Sequence, residues 1–151
     1  MLRARSHPAN DARPRKVVLI AGPKSPFQQP ELNALAAYLN RARGTCLSAD
    51  QVIISTGGKQ VLFNAFLATL DPGDEVIIPA PYWVSYPDMV LLADGTPVFL
   101  PCAEARGFKM TPAELEAAIT KKTKWLILNS PSNPTGAANT EAELRALADV
   151  L

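Results

Sequence analysis

The chain has 151 residues, of which 48% are hydrophobic and 19% are charged, values typical of one soluble globular domain. Fifteen Lys and Arg against fourteen Asp and Glu give a formal net charge of +1, so the bulk charge points to neither nucleic acid nor an acidic membrane as a partner. Cys46, Cys102 and the single histidine, His7, lack metal-ligand spacing, so no metal site is predicted. The isolated cysteines favour a reducing, cytoplasmic setting, and the apolar runs are too short for a membrane helix.

The segment 1–29 is rich in Arg and Lys, and Asp11 is its only acidic residue. Organellar transit peptides share this bias. However, Pro8 and Pro14 interrupt any amphipathic helix, and a poorly structured tail explains the segment better. We therefore predict a poorly structured segment over 1–29 and a folded domain over 30–151.

From residue 30 onward, apolar residues at helical spacing alternate with short β-branched runs. Strands are predicted at 51–55, 75–78, 96–100 and 124–128. Helices are predicted at 31–43, 59–70, 82–93, 112–119 and from 141 onward. Strands interleaved with helices indicate the α/β class, with a mostly parallel sheet that has helices on both faces.

Local signals mark several element ends. Gly44 is a plausible residue to end the first helix. Asp71–Asp74 reads Asp-Pro-Gly-Asp, which predicts a type II turn. Thr111–Glu114 and Thr140–Glu143 have the spacing of capping boxes. The last apolar stripe ends on Leu151 without a stop signal, so we expect the chain to be cut within a larger fold.

Ligands of such sheets bind beyond the carboxyl ends of the strands, which singles out three loops. Ser55–Lys59 has two glycines at a helix start; they either present N–H groups to a phosphate or simply form the turn. Pro79–Tyr86 has three aromatics, which either face an aromatic ligand or belong to the core. In Asn129–Ala137, Pro134 and Gly136 hold the Asn133 amide in a set direction, and this amide is either a binding group or part of a turn.

Taken together, the three loops favour the binding interpretation over the purely structural one. The motifs T-G-G-K-Q, P-Y-W-V-S-Y-P and N-S-P-S-N-P-T-G occur here in that order. This order resembles the large domain of class I aminotransferases, the fold-type I enzymes that use pyridoxal 5'-phosphate, and especially their aspartate aminotransferase-like branch. The resemblance covers 30–151 and implies a partial large domain; Val17–Gln29 does not match the family pattern.

The resemblance implies a role for individual positions. Gly57, Gly58 and Lys59 match the segment whose backbone holds the cofactor phosphate. Trp83 matches the aromatic residue that stacks on the cofactor ring beside the substrate. Asn133 matches the asparagine that binds the phenolic oxygen of the ring and lies close to the substrate.

The resemblance also implies what this chain lacks. The family's Schiff-base lysine, its aspartate on the ring nitrogen, its tyrosine and its carboxylate-binding arginine normally lie beyond Leu151. Lys59 matches the phosphate end of the cofactor, so it is not given the Schiff-base role, and Lys121, Lys122 and Lys124 lie before a strand, at the end opposite the loops. No catalytic residue is therefore predicted here, while Asn129 is expected to support the Asn133 loop.

The expected reaction is amino-group transfer between an amino acid such as aspartate and a 2-oxo acid. Two alternatives stay open: a pyridoxal-phosphate lyase on the same scaffold, and a non-catalytic remnant that binds the cofactor weakly or not at all. Full-length members of the family are usually homodimers, but a chain that lacks much of the shared surface is not expected to reproduce that assembly.

Because the covalent step has no lysine, the 151-residue chain is expected not to transaminate by itself. The measurement is turnover of aspartate with 2-oxoglutarate by the purified chain in the presence of pyridoxal phosphate. Turnover above a protein-free control would contradict the prediction.

Overall fold

The computed structural model of the chain describes residues 2–3, 18–21 and 29–151. The strands are Leu2–Arg3 (β1), Val18–Ala21 (β2), Val52–Ser55 (β3), Glu75–Ala80 (β4), Thr96–Pro101 (β5) and Thr123–Leu126 (β6). The helices are Gln29–Arg43 (α1), Gly58–Leu67 (α2), Ser85–Leu91 (α3), Pro112–Ala118 (α4) and Glu141–Ala148 (α5). Among these residues no helix is long and apolar enough to cross a membrane.

The chain forms two compact units, each described by itself. One contains β1 and Phe66–Leu151, and its four strands are ordered β1-β6-β4-β5. Strand β4 pairs in parallel with both β5 and β6, while β1 lies antiparallel to β6. The other unit contains β2 and residues 29–65, and β2 pairs in parallel with β3. The predicted α/β class with a mostly parallel sheet is confirmed.

Strand β4 is covered on both faces. Val76, Ile77 and Ile78 are consecutive and each is 0% exposed. Successive strand residues point to opposite faces of a sheet, so neither face of β4 is open to water. This pattern is typical of a central parallel strand between helices.

One face of β4 packs on the last two helices. Ile77 belongs to a buried cluster with Leu115 of α4 and Leu147 of α5, and Leu126 of β6 lies in the same cluster. Val76 and Ile78 point to the other face. Fully burying an aliphatic side chain contributes about 1.5–3 kcal/mol before the entropy of ordering it is subtracted. The sheet and these helices are therefore held together mainly by apolar burial.

The predicted capping boxes and the predicted type II turn are confirmed. At α4 the Glu114 N–H donates to Thr111 Oγ1 over 3.2 Å and the Thr111 N–H donates to Glu114 Oε2 over 2.9 Å. Thr140–Glu143 closes the same box at α5. In the turn before β4, Gly73 has a φ of 93° and the Asp74 N–H donates to the Asp71 carbonyl over 3.0 Å, as type II geometry requires.

Some element bounds differ from the prediction. Strand β4 continues to Ala80 because Pro79 and Ala80 pair with Leu100 and Pro101 of β5. The next helix consequently starts at Ser85, after a turn, and not at residue 82. Strands β1 and β2 fall within 1–29, the segment predicted to be poorly structured, and the remainder of that segment lies outside the described residues.

Gly95, between α3 and β5, is required by packing. A Cβ atom at this position would lie 2.8 Å from Leu70 Cδ1 and 3.0 Å from Val90 Cγ1. Val90 is fully buried, so it has little room to move away. A larger residue at this turn would therefore require the Leu70 and Val90 side chains to shift.

An ion pair secures the start of β4. Asp74 Oδ2 accepts hydrogen bonds from the Asp71 N–H over 2.9 Å and from Lys124 Nζ over 2.7 Å. Burial acts to raise the pKa of Asp74, but these hydrogen bonds and the positive charge of Lys124 outweigh it, so the pKa lies below its ordinary value. Folding thus favours the ionised carboxylate.

We expect Asp74→Asn to lower the free energy of unfolding by about 1 kcal/mol at neutral pH, since the amide keeps the shape but loses the charge. The folded pKa is depressed, so the wild-type advantage is present above the ordinary carboxyl pKa of about 3.9 and is lost as the pH falls through the lower folded value. Urea unfolding of both proteins between neutral and acidic pH measures this difference.

Asp149→Asn is the matched control, because Asp149 is exposed at the end of α5. It should leave the free energy of unfolding nearly unchanged across the same range. An equal loss in the two variants, or a loss at Asp74 that does not diminish in acid, would contradict the role given to the ion pair.

Candidate functional site

Two of the predicted loops meet at the carboxyl edge of the first unit's sheet. Pro79–Tyr86 includes the end of β4, and Asn129–Ala137 follows β6, the parallel neighbour of β4. A cleft lies between them, and the connection from β5 to α4 closes its side. Its lining includes Pro81, Tyr82, Tyr86, Phe108, Lys109, Asn129 and Asn133. The expectation that these two loops share one edge is confirmed.

The loop that presents Asn133 is closed by its own hydrogen bonds. The Ser132 N–H donates to the Ala137 carbonyl and the Gly136 N–H donates to the Ser132 carbonyl, both over 2.8 Å. Gly136 has a φ of 74°, a conformation that glycine adopts without strain. Asn133 is exposed at the tip of this closed loop. Its side-chain amide is therefore accessible while its backbone is held.

Asn129 ties the base of the loop to its tip. When its amide is oriented so that the oxygen faces the Asn133 N–H, that hydrogen bond is 3.0 Å long. In the same orientation the Asn129 amide nitrogen donates to the Pro131 carbonyl over 3.2 Å. Asn129 is half-buried and lines the cleft beside Asn133. This arrangement gives Asn129 the supporting position that the sequence suggested.

The aromatic loop forms two separate ring pairs. Trp83 meets Tyr86 edge-on, with ring centroids 5.6 Å apart and an interplanar angle of 80°. Tyr82 stacks on Phe99 of β5 at 5.2 Å and 18°. Both tyrosines line the cleft, whereas Trp83, the residue predicted to stack on a cofactor ring, is half-buried and is not part of the lining.

The side wall of the cleft was missed by sequence reasoning. Phe108 has a φ of 57°, and Lys109 Nζ lies 3.0 Å from both carboxylate oxygens of Glu143 at the start of α5. The Thr140 N–H and then Lys109 hold the pKa of Glu143 below its ordinary value. The sequence Gly-Phe-Lys does not by itself predict this wall, because Glu143, the partner of Lys109, is 34 positions away.

Lys124 lies at the other end of the strands, as predicted. Its Nζ atom contacts Asp71 and Asp74, which directly precede β4, while the cleft lies at the carboxyl end of β4. Lys124 is therefore too far along the strand to act in the cleft.

The third loop belongs to the other unit and joins β3 to α2. Gly57 has a φ of 108°, its N–H donates to the Ser55 carbonyl over 3.0 Å, and its own carbonyl accepts from the Val61 N–H over 3.2 Å. Helix α2 starts at Gly58. Among the residues that the structure describes, no atom beyond the adjoining backbone lies within 4 Å of a Cβ built at Gly57 or Gly58, so these residues leave the space around the helix start open.

This helix start fits a phosphate group. The first N–H groups of a helix have no carbonyl one turn earlier, and the helix dipole adds partial positive charge there. Gly58 and Lys59 are exposed, so the first turn of α2 is accessible to a ligand. The geometry matches the sequence-based assignment of Gly57, Gly58 and Lys59, which stays a prediction.

Comparison with known proteins identifies the family. Residues 24–151 match the family described as "Aminotransferase class I and II". The chain belongs to this family, because the match covers most of its length. The match starts at residue 24, so the expectation that residues 24–29 depart from the family pattern was wrong.

Several curated relatives are aminotransferases. An aspartate/prephenate aminotransferase of Cereibacter sphaeroides is 63% identical over 123 residues, which make up 81% of this chain and 31% of that protein. The aspartate aminotransferase of Rhizobium meliloti is 50% identical over 123 residues, or 81% of this chain and 30% of that protein. The chain thus spans about a third of the length of these relatives.

Solved structures of aminotransferases match the fold of this chain. The crystal structure of the Rhizobium meliloti aspartate aminotransferase matches with a TM-score of 0.76 and 51% identity, over 80% of this chain and 30% of that one. A Thermus thermophilus aspartate aminotransferase with maleate matches with the same TM-score and 48% identity, over 80% of this chain and 32% of that one. The α/β fold is therefore that of a partial aminotransferase domain.

Removing the Asn129 side chain should loosen the Asn133 loop. In Asn129→Ala we expect the free energy of unfolding to fall by about 1 kcal/mol, and the Asn133 amide hydrogen to exchange roughly five-fold faster, because its N–H loses its acceptor. Hydrogen exchange followed by NMR measures this directly. Asn139→Ala is the matched control, since Asn139 also lines the cleft but lacks this contact. Equal protection of the Asn133 amide in both variants would contradict the role of Asn129.

Proposed function

We propose that this chain forms part of the cofactor site of a pyridoxal-phosphate-dependent aminotransferase, an enzyme that transfers an amino group from an amino acid to a 2-oxo acid. The observation that supports this most strongly is the cleft at the carboxyl edge of the sheet, with Asn133 held at the tip of a closed loop, in a chain that belongs to the aminotransferase family. When bound, pyridoxal phosphate supplies the electron sink for the chemistry at the amino acid.

The proposal assigns cofactor-binding roles to residues of each unit, and the two assignments are independent of each other. The first turn of α2, with Gly57, Gly58 and Lys59, binds the phosphate through backbone N–H groups and the helix dipole. Trp83, which contacts the cleft-lining Tyr86 but is not itself in the lining, would contact the ring face, and the Asn133 amide would donate to the phenolic oxygen of the ring. Each of these residues orients the group and none exchanges a proton with it.

The Asn133 loop contributes to cofactor binding a backbone that is already held in place. The loop is closed by backbone hydrogen bonds, and the Asn129 side chain holds the Asn133 N–H. A loop whose backbone is already fixed loses little backbone entropy when its ligand arrives, so more of the hydrogen-bond energy is available for binding and orientation. The proposal also gives Asn133 a contact with the substrate, a role that rests on the family resemblance.

We further propose a dicarboxylic amino acid such as aspartate as the substrate, together with a 2-oxo acid. The similarity to aspartate and aspartate/prephenate aminotransferases supports this class. The related Thermus thermophilus structure contains maleate, which is a four-carbon dicarboxylate.

Titration with pyridoxal phosphate tests the cofactor site. We expect saturable changes in cofactor absorption and protein fluorescence, with binding weakened roughly ten-fold in Asn133→Ala, the factor expected for one hydrogen bond to a charged or polarised oxygen. Inorganic phosphate should compete, because it would occupy the start of α2.

Asn139→Ala serves as the control, since it makes the same chemical change elsewhere in the cleft lining. It should bind the cofactor like the wild type. Binding that does not saturate, or that follows only the number of accessible lysines, would overturn the proposed cofactor site.

A further inference from the structure

Trp83 lies in the turn between β4 and α3, where backbone pairing within the strand has ended. Its carbonyl accepts a hydrogen bond from the Tyr86 N–H over 3.0 Å. Its indole ring meets the Tyr86 ring edge-on, with centroids 5.6 Å apart and planes at 80°. Tyr86 therefore contacts Trp83 through both backbone and side chain.

Tyr86 is itself firmly anchored. Its side chain is 8% exposed, and it lies on the buried stripe of α3 with Met89 and Val90. Residues three and four positions apart lie on the same side of a helix, so this stripe is the face that docks α3 on its unit. Tyr86 also lines the cleft, so it connects the packed interior with the edge where Asn133 lies.

The neighbouring tyrosine has a different partner. Tyr82 is stacked nearly parallel on Phe99, which is 48% exposed on the edge strand β5. That pair is separate from the Trp83–Tyr86 pair. Of the two tyrosines in this loop, Tyr86 is the one whose ring packs edge-on against the indole and restrains its tilt.

We propose that Tyr86 is a positioning residue for Trp83: its buried ring fixes the plane of the half-buried indole. Edge-to-face packing restricts the angle between two rings, so a fixed Tyr86 ring restricts the Trp83 ring as well. The claim that this orientation serves a cofactor ring rests on the proposed function. The claim that Tyr86 sets the orientation does not depend on it.

Fluorine NMR of the chain labelled with 5-fluorotryptophan tests the positioning role without any cofactor. The chain has two tryptophans, Trp83 and Trp125, so two resonances are expected. Trp125 packs edge-on against Phe66 at 5.7 Å and donates to Thr69 over 2.9 Å, and it reports on the integrity of the same unit. Tyr86→Met removes the aromatic ring but fills similar space, and Tyr86→Phe removes only the hydroxyl.

We expect the Trp83 resonance of Tyr86→Met to move toward its unfolded-chain position while the Trp125 resonance stays in place. Tyr86→Phe should keep both resonances close to wild type, because the ring is preserved. In the same variants pyridoxal phosphate should bind roughly three- to ten-fold more weakly to Tyr86→Met and nearly normally to Tyr86→Phe, the factor that an aromatic pair typically contributes.

An unmoved Trp83 resonance in Tyr86→Met would overturn the inference. Tyr86→Leu is the second variant, in case the Tyr86→Met protein does not fold. If both tryptophan resonances move in both variants, Tyr86 supports the whole unit and the positioning role is wrong. If the Trp83 resonance alone responds but the wild-type chain does not bind pyridoxal phosphate, the positioning role stands and the proposed function fails.

Discussion

Strand β4 is the element on which the first unit depends, because it is paired on both sides and covered on both faces. Three consecutive residues, Val76 to Ile78, are fully buried, a pattern typical of a strand with two parallel neighbours in a sheet that is covered on both faces. Parallel pairing forces β4, β5 and β6 to end at one edge. The position of the cleft thus follows from the burial of one strand.

The cleft also depends on how each loop is fixed to that edge. The Asn133 loop is held by its own backbone hydrogen bonds and by the Asn129 amide, and the aromatic loop is held by the Tyr86 ring on the buried stripe of α3. Short-range contacts make each loop rigid, and the sheet sets the distance between them. Binding groups on such loops need little rearrangement when a ligand arrives.

Features governed by neighbouring residues could be predicted from the sequence. The capping box at Thr111 and the type II turn at Gly73 have their physical cause within four positions, and the parallel sheet follows from alternating strands and helices. The cleft wall at Lys109 and the pairing of Tyr82 with Phe99 could not be predicted, since each depends on a partner brought near by the fold. The late start of α3 was missed because pairing with β5 extends β4.

The strand order also determines when the cleft can exist as the polypeptide is made. Glu75 of β4 pairs with Thr123 of β6, 48 positions later, and the intervening chain forms a helix, the edge strand and a second helix. The aromatic loop is therefore synthesised well before the opposite wall, and the cleft can form only once both have been made. Closing so long a loop costs entropy that grows only slowly with its length, so the delay concerns the order of assembly more than the final stability.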